Sequence, residues 1–410
     1  MKKIILFSLL IFIAANLFAA PGELRYFTPK GEFIIPASDI PRPGHPKTNY
    51  IIFKPNKLTL ASHAAGETPA SIACVYGLTT PMPGCPIQGT TALPISPTGL
   101  IAIVDPGEDP YAESELNTFS AYFGLPACTK ASNCFQEIKV GTPIYNPDIS
   151  TEIALDIEWV HAMAPQANIA LYESDNALDA TLDAGQALSD TNGGGIVSNS
   201  WGSPEDSAIE DLEQQIDAGL SSLPNVTYFF AAGDFGAPPP YPATSPYVVA
   251  AGGTTILRNN QGDFIGENAW SFDPITLHGG GGGPSLYEPR PAYQNLVQKI
   301  VGTQRGTPDL SADANPETGV RIYSIPQGGW IIIGGTSVST PLLAGMFFTS
   351  GAPFTNAQAF LSRVYGNYPK SGNHNWRDIT VGNNHPYNCL KGYDLVTGLG
   401  SPIGYNGFRG

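Results

Sequence analysis

The chain has 410 residues, 35 of them acidic and 20 basic, which gives a formal net charge of −15. Charged side chains make up only 13% of it, about half the usual globular share of roughly a quarter, and the shortage of Lys and Arg argues against nucleic acid as a partner, because phosphate binding needs a basic footprint. An apolar content of 42% excludes general disorder, while 46 glycines and 38 prolines predict a loop-rich protein whose weakly charged surface loses its net charge in mild acid.

Lys2 and Lys3 followed by the apolar run Ile4–Phe18 and small Ala19 and Ala20 predict a secretion signal over residues 1–19. The run is short of the ~20 residues a membrane span needs, and no later segment is longer and as apolar. An exported protein, secreted or periplasmic, without a membrane anchor is therefore expected. Residues 20–47 are rich in Pro and Gly and read as an extended arm or the remnant of a pro-region. Five cysteines suit an oxidising compartment. Cys74 and Cys85, and Cys128 and Cys134, are close enough to close small loops, which would leave Cys389 over, although sequence does not decide pairing. No Cys/His spacing typical of zinc is present.

From Pro69 onward, apolar strand-like runs alternate with helical patterns. Leu100–Val104, Asn168–Tyr172, Ile196–Asn199, Val226–Ala232 and Tyr247–Ala251 read as buried strands, and Glu205–Leu220 as an amphipathic helix. This alternation predicts an α/β fold with a parallel sheet, whose active site would gather at the carboxyl ends of the strands.

Three segments carry candidate chemistry. In STEIALDIEWVHAMAP (150–165), Glu152 and Asp156 stand four residues apart on one helix face. They are either solvated helix carboxylates or a coupled pair that shares a proton and serves as base and acid. His161 falls on the opposite face and reads as a packing or capping residue. Asp234, in AAGDFGA after the strand 226–230, is either a turn residue or a hydrogen-bond donor to an oxyanion, a role open to it only when protonated. Ser337, in GGTSVSTPLLAGM, sits where an apolar strand (Trp330–Ile333) turns into a helix, with Pro341 fitting the first turn. It is either a helix cap or a nucleophile presented to solvent at a helix N-terminus.

Together these segments resemble the sedolisin family of serine-carboxyl peptidases, relatives of the subtilisins. The resemblance runs from about Pro69 to Gly404. It is carried in order by TPASIACVYGL, GLIAIVDPGEDP, FSAYFGLPAC, the E-x-x-x-D of Glu152 and Asp156, SNSWG (198–202), the GD of Gly233–Asp234, TPDLSADANPETG (307–319) and GGTSVSTP (334–341). It implies a subtilisin-like three-layer α/β fold over residues 48–410, with a central mostly parallel sheet and helices on both faces. It further implies Ser337 as nucleophile, Glu152 as general base, Asp156 orienting Glu152, and Asp234 as oxyanion donor where subtilisins carry Asn. Ser198, Asn199, Ser200, Trp201 and Gly202 would line the substrate cleft. The implied reaction is acid-active hydrolysis of peptide bonds in proteins or peptides through an acyl-enzyme, by a monomer.

The stretch 378–402 resembles the family's calcium loop. It implies one structural calcium ion held by the carboxylates of Asp378 and Asp394 and the carbonyls of Ile379, Leu390 and Gly392, an all-oxygen set suited to a hard cation. Leu390 stands where the family usually has glycine. Members usually carry a long N-terminal prodomain, where here only residues 20–47 separate the signal from the expected start of the catalytic domain at 48. Two other functions are set against this one: a Ser-His-Asp peptidase using Asp105, His161 and Ser337, and a binding protein that keeps the fold without turnover.

Overall fold

The computed structural model describes residues 22–42, 45–56, 66–206, 210–371 and 374–409; the expected signal segment lies outside them. Strands β1 (Leu24–Phe27) and β2 (Gly31–Ile35) form a hairpin, followed by the two-residue β3 (Lys47–Thr48) and by β4 (Ile51–Pro55). After helix α1 (Pro69–Val75), β5 (Gly99–Pro106), α2 (Ala112–Phe123), β6 (Phe135–Val140), α3 (Pro147–Met163), β7 (Ala167–Ser174), α4 (Ala177–Asn192) and β8 (Gly195–Asn199) alternate as predicted. Next come β9 (Trp201–Pro204), α5 (Glu210–Ser221), β10 (Val226–Ala231), β11 (Pro240–Tyr241), β12 (Val249–Arg258) and β13 (Phe264–Ala269). The chain continues with β14 (Gly283–Pro289), the short α6 (Gln298–Val301), β15 (Gln304–Thr307), β16 (Leu310–Asp313), β17 (Val320–Ser324), β18 (Gly329–Gly334), α7 (Thr336–Thr349) and α8 (Ala357–Ser371), and then with the two-residue strands β19 (Trp376–Arg377) and β20 (Ser401–Pro402) and the short α9 (Asn406–Arg409). Among the described residues, the helix expected over 205–220 runs from Glu210 to Ser221, after the strand Trp201–Pro204.

The central sheet has the order β13-β12-β10-β8-β5-β7-β6, with β16 also on β12. Every pairing in it is parallel except β12 with β13. Its strands are near-continuous apolar runs because both faces are covered. Along β5, Ile101 and Ile103 join the core shared with α3 and α7, while Ala102 and Val104 join the one shared with α4 and α5. This two-residue alternation makes the three layers, and it is the subtilisin-like architecture expected.

Helix α7 is buried throughout and carries no polar stripe, as befits a helix enclosed on all sides. It packs on α3, whose residues 150–163 are likewise buried. A Cβ on Gly345 would lie 2.6 Å from that of Met163, so glycine permits this close crossing. The two expected disulfides are present, Cys74–Cys85 and Cys128–Cys134, and Cys389 is a free buried thiol.

The N-terminal segment departs from the arm expected of it. β1, β2 and β4 join β18 and β17 in an antiparallel sheet of order β1-β2-β4-β18-β17. Ile35 and Ile51 pack there against Trp270 and Ala314. Apolar side chains at alternating positions (Phe33, Ile35; Ile51, Phe53) give the segment a face to bury, a signal masked by its Pro and Gly content.

Candidate active site

Ser337 is placed by the junction between β18 and α7. Gly335 caps the helix at φ +114°, and a Cβ there would fall 2.0 Å from the Asn49 carbonyl oxygen and 2.6 Å from Asp234 Oδ2. Only glycine allows both to approach. Ser337 is fully buried rather than presented to solvent. Its hydroxyl donates to the Ser200 carbonyl (3.0 Å) and accepts the Asn49 N–H (3.2 Å), while its own N–H donates to the Asn49 carbonyl (3.0 Å). Pro341 lies in the second turn of α7, not the first. Having no N–H, it leaves the Ser337 carbonyl without its helical donor, and the Ser200 hydroxyl reaches that carbonyl at 3.4 Å.

Helix α3 supplies the paired carboxyls. Asn146 caps it by accepting the Asp148 and Ile149 N–H groups, and Pro147 begins its first turn. Glu152 and Asp156 then lie more than a turn inside, both fully buried, so the solvated-helix reading does not hold. Asp156 Oδ1 accepts the Ser200 hydroxyl (2.8 Å), which ties the pair to Ser337. Both Glu152 oxygens and Asp156 Oδ2 make no hydrogen bond of normal length. Burial pushes the Glu152 carboxyl well above the usual range, reinforced by the charges of Asp156 and Asp105 and opposed by the nearby Ser337 hydroxyl. Burial, and then Asp105, raise Asp156 in the same way. Carboxyls crowded together out of water hold protons at pH values where exposed ones do not.

Asp105, at the carboxyl end of β5, is thus a third member of the cluster. Burial and the charges of Glu173 and Asp109 push it up to about 8. The sequence considered it only as a triad partner of His161. His161 is bonded instead to the Pro126 carbonyl (2.8 Å), and burial lowers its pKa; the structure does not bring it to Ser337.

Asp234 follows β10 at the carboxyl edge of the sheet. Its Oδ1 accepts both the Thr336 N–H (2.8 Å) and the Thr336 hydroxyl (2.7 Å). Oδ2 has no hydrogen-bond partner and lies beside Gly335, next to the Asn49 carbonyl. Burial raises this carboxyl to about 7, with Lys47 and the Thr336 contacts acting the other way. Below that pH the carboxyl carries a proton that Oδ2 can donate.

Of the five residues expected to line the cleft, Ser198 and Asn199 belong to β8 and are spent internally. The Asn199 amide accepts the Thr181 hydroxyl (2.8 Å) and donates to the Phe229 carbonyl (3.2 Å). Trp201 buries its indole against Val104, donating to that carbonyl at 2.9 Å. Ser200, Trp201 and Gly202 provide the backbone edge, and β3 is paired along it. Sequence reasoning missed Asn49, whose N–H bonds the Ser337 hydroxyl, and Lys47, which bonds the Asn49 side chain, because nothing in their local composition marks them.

In the loop 378–402, the Gly392 N–H points at Asp378 (3.0 and 3.2 Å), and the Leu390 N–H points at Asp394 Oδ2 (2.8 Å). Asp394 is buried and raised to about 6, chiefly by burial. No Lys or Arg among the described residues pairs with either carboxylate. Ile379 is buried beside Ala269, Cys389 and Val396, whereas Leu390 is half exposed. No group of three or more His, Cys, Asp or Glu that could hold a metal occurs among the described residues. Asp394 Oδ1 also accepts the Val396 and Thr397 N–H groups (2.9 and 2.8 Å), so backbone donors meet both carboxylates; two carboxylates in one loop without a basic partner are oxygen donors of the type a hard cation takes.

Comparison with known proteins gives three findings. The model of the subtilase family matches residues 141–350, which include Glu152, Asp156, Asp234 and Ser337. The chain is 33% identical over 332 residues to kumamolisin of Bacillus sp. (strain MN-32), covering 74% of this chain and 58% of that protein. It is 26% identical over 412 residues to xanthomonalisin of Xanthomonas sp. (strain T-22), covering 86% and 48%. It therefore spans about half the length of these curated relatives. Among solved structures it resembles Pseudomonas sedolisin, a serine-carboxyl proteinase complexed with two molecules of pseudo-iodotyrostatin. That match has a TM-score of 0.65 at 26% identity and covers 82% of this chain and 95% of that one.

Proposed function

The chain belongs to the subtilase family, and from that premise we propose that it is an acid-active serine-carboxyl peptidase acting on proteins or peptides. The observation that carries the reading is that helix α3 and the turn after β10 bring buried carboxyls, Glu152, Asp156 and Asp234, to the buried Ser337, each raised by burial, while His161 is turned away onto Pro126. Glu152 takes the Ser337 proton as Oγ attacks the scissile carbonyl. Asp156 and Asp105 set the protonation of Glu152 and keep it close to the reaction. Neutral Asp234, through Oδ2, and the Ser337 N–H stabilise the oxyanion. The leaving amine recovers the proton from Glu152, and water then opens the acyl-enzyme by the same steps in reverse.

Activity requires Asp234 protonated, so it is lost as pH rises through about 7. It also requires Glu152 to accept a proton; because burial and Asp156 raise that carboxyl as well, the productive form is the one in which Asp234 holds its proton and Glu152 has given its own up, and that form becomes scarcer as the pH falls further. Glu152→Gln should lower kcat by about 10²–10⁴-fold, the usual worth of a general base, with His161→Ala within a few-fold of wild type. Steady-state hydrolysis of an unfolded protein at pH 3–6 checks both. The reverse pattern would establish a Ser-His-Asp peptidase in its place.

The signal sequence supports export, with the chain working outside the cytoplasm as a monomer. No helix among the described residues is long and apolar enough to cross a membrane. For the loop 378–402, we propose one calcium ion on Asp378 and Asp394 with the carbonyls of Ile379, Leu390 and Gly392. When bound it supplies charge neutralisation and a tether for the C-terminal loop, and takes no part in the chemistry. Chelation should lower Tm by roughly 3 °C, since an ion at a hundred times its Kd contributes about 2.7 kcal/mol. Asp394→Asn should remove that sensitivity; a Tm indifferent to calcium in the wild-type protein would overturn the site.

A further inference from the structure

A row of charged side chains leads out of the carboxyl cluster across three neighbouring strands. The parallel register sets Asp105, near the end of β5, opposite Glu173 on β7, and Glu173 opposite Lys139 on β6. All three point to the face that α3 covers, because Ile101 and Ile103, Ile169 and Leu171, and Phe135 enter the core beneath α3 at the same alternate positions of their strands. Asp105 is fully buried, and neither of its oxygens has a hydrogen-bond partner. Glu152 and Asp156 act on it from α3, and Glu173 and Asp109 from the other side. Glu173 is buried too; its Oε1 accepts the Asp109 N–H (2.6 Å), and its Oε2 has no partner. Lys139 is half exposed and paired with Glu108. The row thus runs from the catalytic carboxyls to a cation at the surface.

The remaining charged groups beside this row are acidic. Glu108 and Asp109 follow β5 and act on Glu173 and Asp105. Glu137, on β6, is itself paired with Lys130 (2.6 Å). Glu115 of α2 acts on Asp109, whose Oδ1 accepts the Ser150 hydroxyl of α3 (2.7 Å). Carboxyls packed so closely do not all ionise together. The first negative charge settles where it is best held, and Lys139 makes that the outer end of the row. A charge on Glu173 keeps the proton on Asp105. A charge on Asp105 instead keeps the proton on Glu152, the form that cannot accept one. The principal groups acting on Glu152 are Asp156, Asp105, Ser337 and Asp234, with Glu173 not among them.

We infer that Glu173 is a positioning residue of the peptidase site: by holding negative charge outward beside Lys139 it keeps Asp105 neutral, which leaves Glu152 able to take the Ser337 proton. This rests on the peptidase reading of Ser337 and adds a residue that extends its pH range. Burial raises both carboxyls, Glu173 to about 7 and Asp105 to about 8, so the outer group ionises first as pH rises. The benefit falls just below the pH at which Asp234 loses its proton.

The test is the pH profile of kcat/KM on an unfolded protein, using the full chain. Glu173→Gln cannot take the charge, so Asp105 ionises in its place. The alkaline limb should move down by about half a pH unit or more, while the acid limb, where Glu173 is neutral in any case, stays put. Glu173→Asp should bring the limb back toward wild type. In Asp105→Asn, which has no proton to protect, adding Glu173→Gln should shift nothing further. An unmoved alkaline limb in Glu173→Gln would overturn the proposal, and so would an equal shift in the Asp105→Asn background, since a purely structural role acts alike in both. Infrared titration of the protonated-carboxyl band in Ser337→Ala reads the pair without turnover. The Asp105 band, identified by its loss in Asp105→Asn, should disappear at lower pH once Glu173→Gln is added. An unshifted band with hydrolysis intact in the wild-type protein would overturn the pair. A shifted band in a protein whose wild type hydrolyses nothing at any pH would uphold the pair and sink the peptidase reading.

Discussion

Ser337→Ala should lower kcat on an unfolded protein substrate by about 10⁴–10⁶-fold, the range found when the nucleophile of a serine peptidase is removed. No neighbouring group can take over. Thr336 is committed to Asp234 and the Gly233 N–H, Ser339 caps the Ala312 N–H, and Ser200 is bonded to Asp156. What remains should be the oxyanion donors and the binding edge, which stabilise the transition state without a nucleophile. The variant should keep its fold, because α7 is held by apolar burial and not by this hydroxyl. The buried Asn49 N–H loses its acceptor, however, at a cost of about 1–3 kcal/mol, so a Tm lower by a few degrees is part of the expectation. Rate and melting measured together separate lost chemistry from lost structure. Hydrolysis at the wild-type rate would exclude Ser337 as nucleophile and with it the proposed function.

How much of this was legible depended on whether the information was local. The strands of the central sheet are apolar runs bounded by turns, and they were read within a few residues of their ends. Glu152 and Asp156 could be put on one helix face by spacing alone, and Asp234 and Ser337 at strand ends by the runs before them. Their burial could not be read, since it comes from α2, α7 and β17 packing around α3. The same limit explains Asp105, whose membership of the cluster comes from the parallel register of β5 beside β7, setting it opposite Glu173. The strands within and just after the arm expected over 20–47 were not legible, because the partners of β3 and β4, β9 and β18, lie some 150 and 280 residues away in sequence. Ser337 was expected at the surface for that reason alone: the helix N-terminus was read correctly, and the chain that covers it was not.

The largest effect on stability should come from pH, and its sign runs opposite to ordinary acid denaturation. Asp105 is raised from 3.8 to about 8, Glu115 from 4.5 to about 9, Glu288 from 4.5 to about 8 and Glu173 from 4.5 to about 7, each principally by burial. Glu152, Asp156, Glu158 and Asp313 move the same way. A carboxyl with a raised folded-state pKa favours the fold fully below its unfolded value, near 4, and that contribution is lost as pH rises through the folded value. Between pH 4 and 9 the folded protein must either ionise these buried groups or hold protons that the unfolded chain has released. Mutual coupling within the Asp105, Asp109, Glu115 and Glu173 set keeps the contributions from adding in full, which leaves a net loss on the order of 5 kcal/mol and a fall in Tm of roughly 6 °C between pH 4 and 8. The shortage of Lys and Arg adds to this asymmetry, because protonating the carboxylates leaves little positive charge to repel itself. Calorimetry on Ser337→Ala, which cannot digest itself, gives the curve directly. Glu115→Gln, neutral at every pH, should flatten its alkaline limb; a Tm that rises from pH 4 to 8 would show that the buried carboxyls are ionised in the folded protein and would remove the physical basis for acid activity.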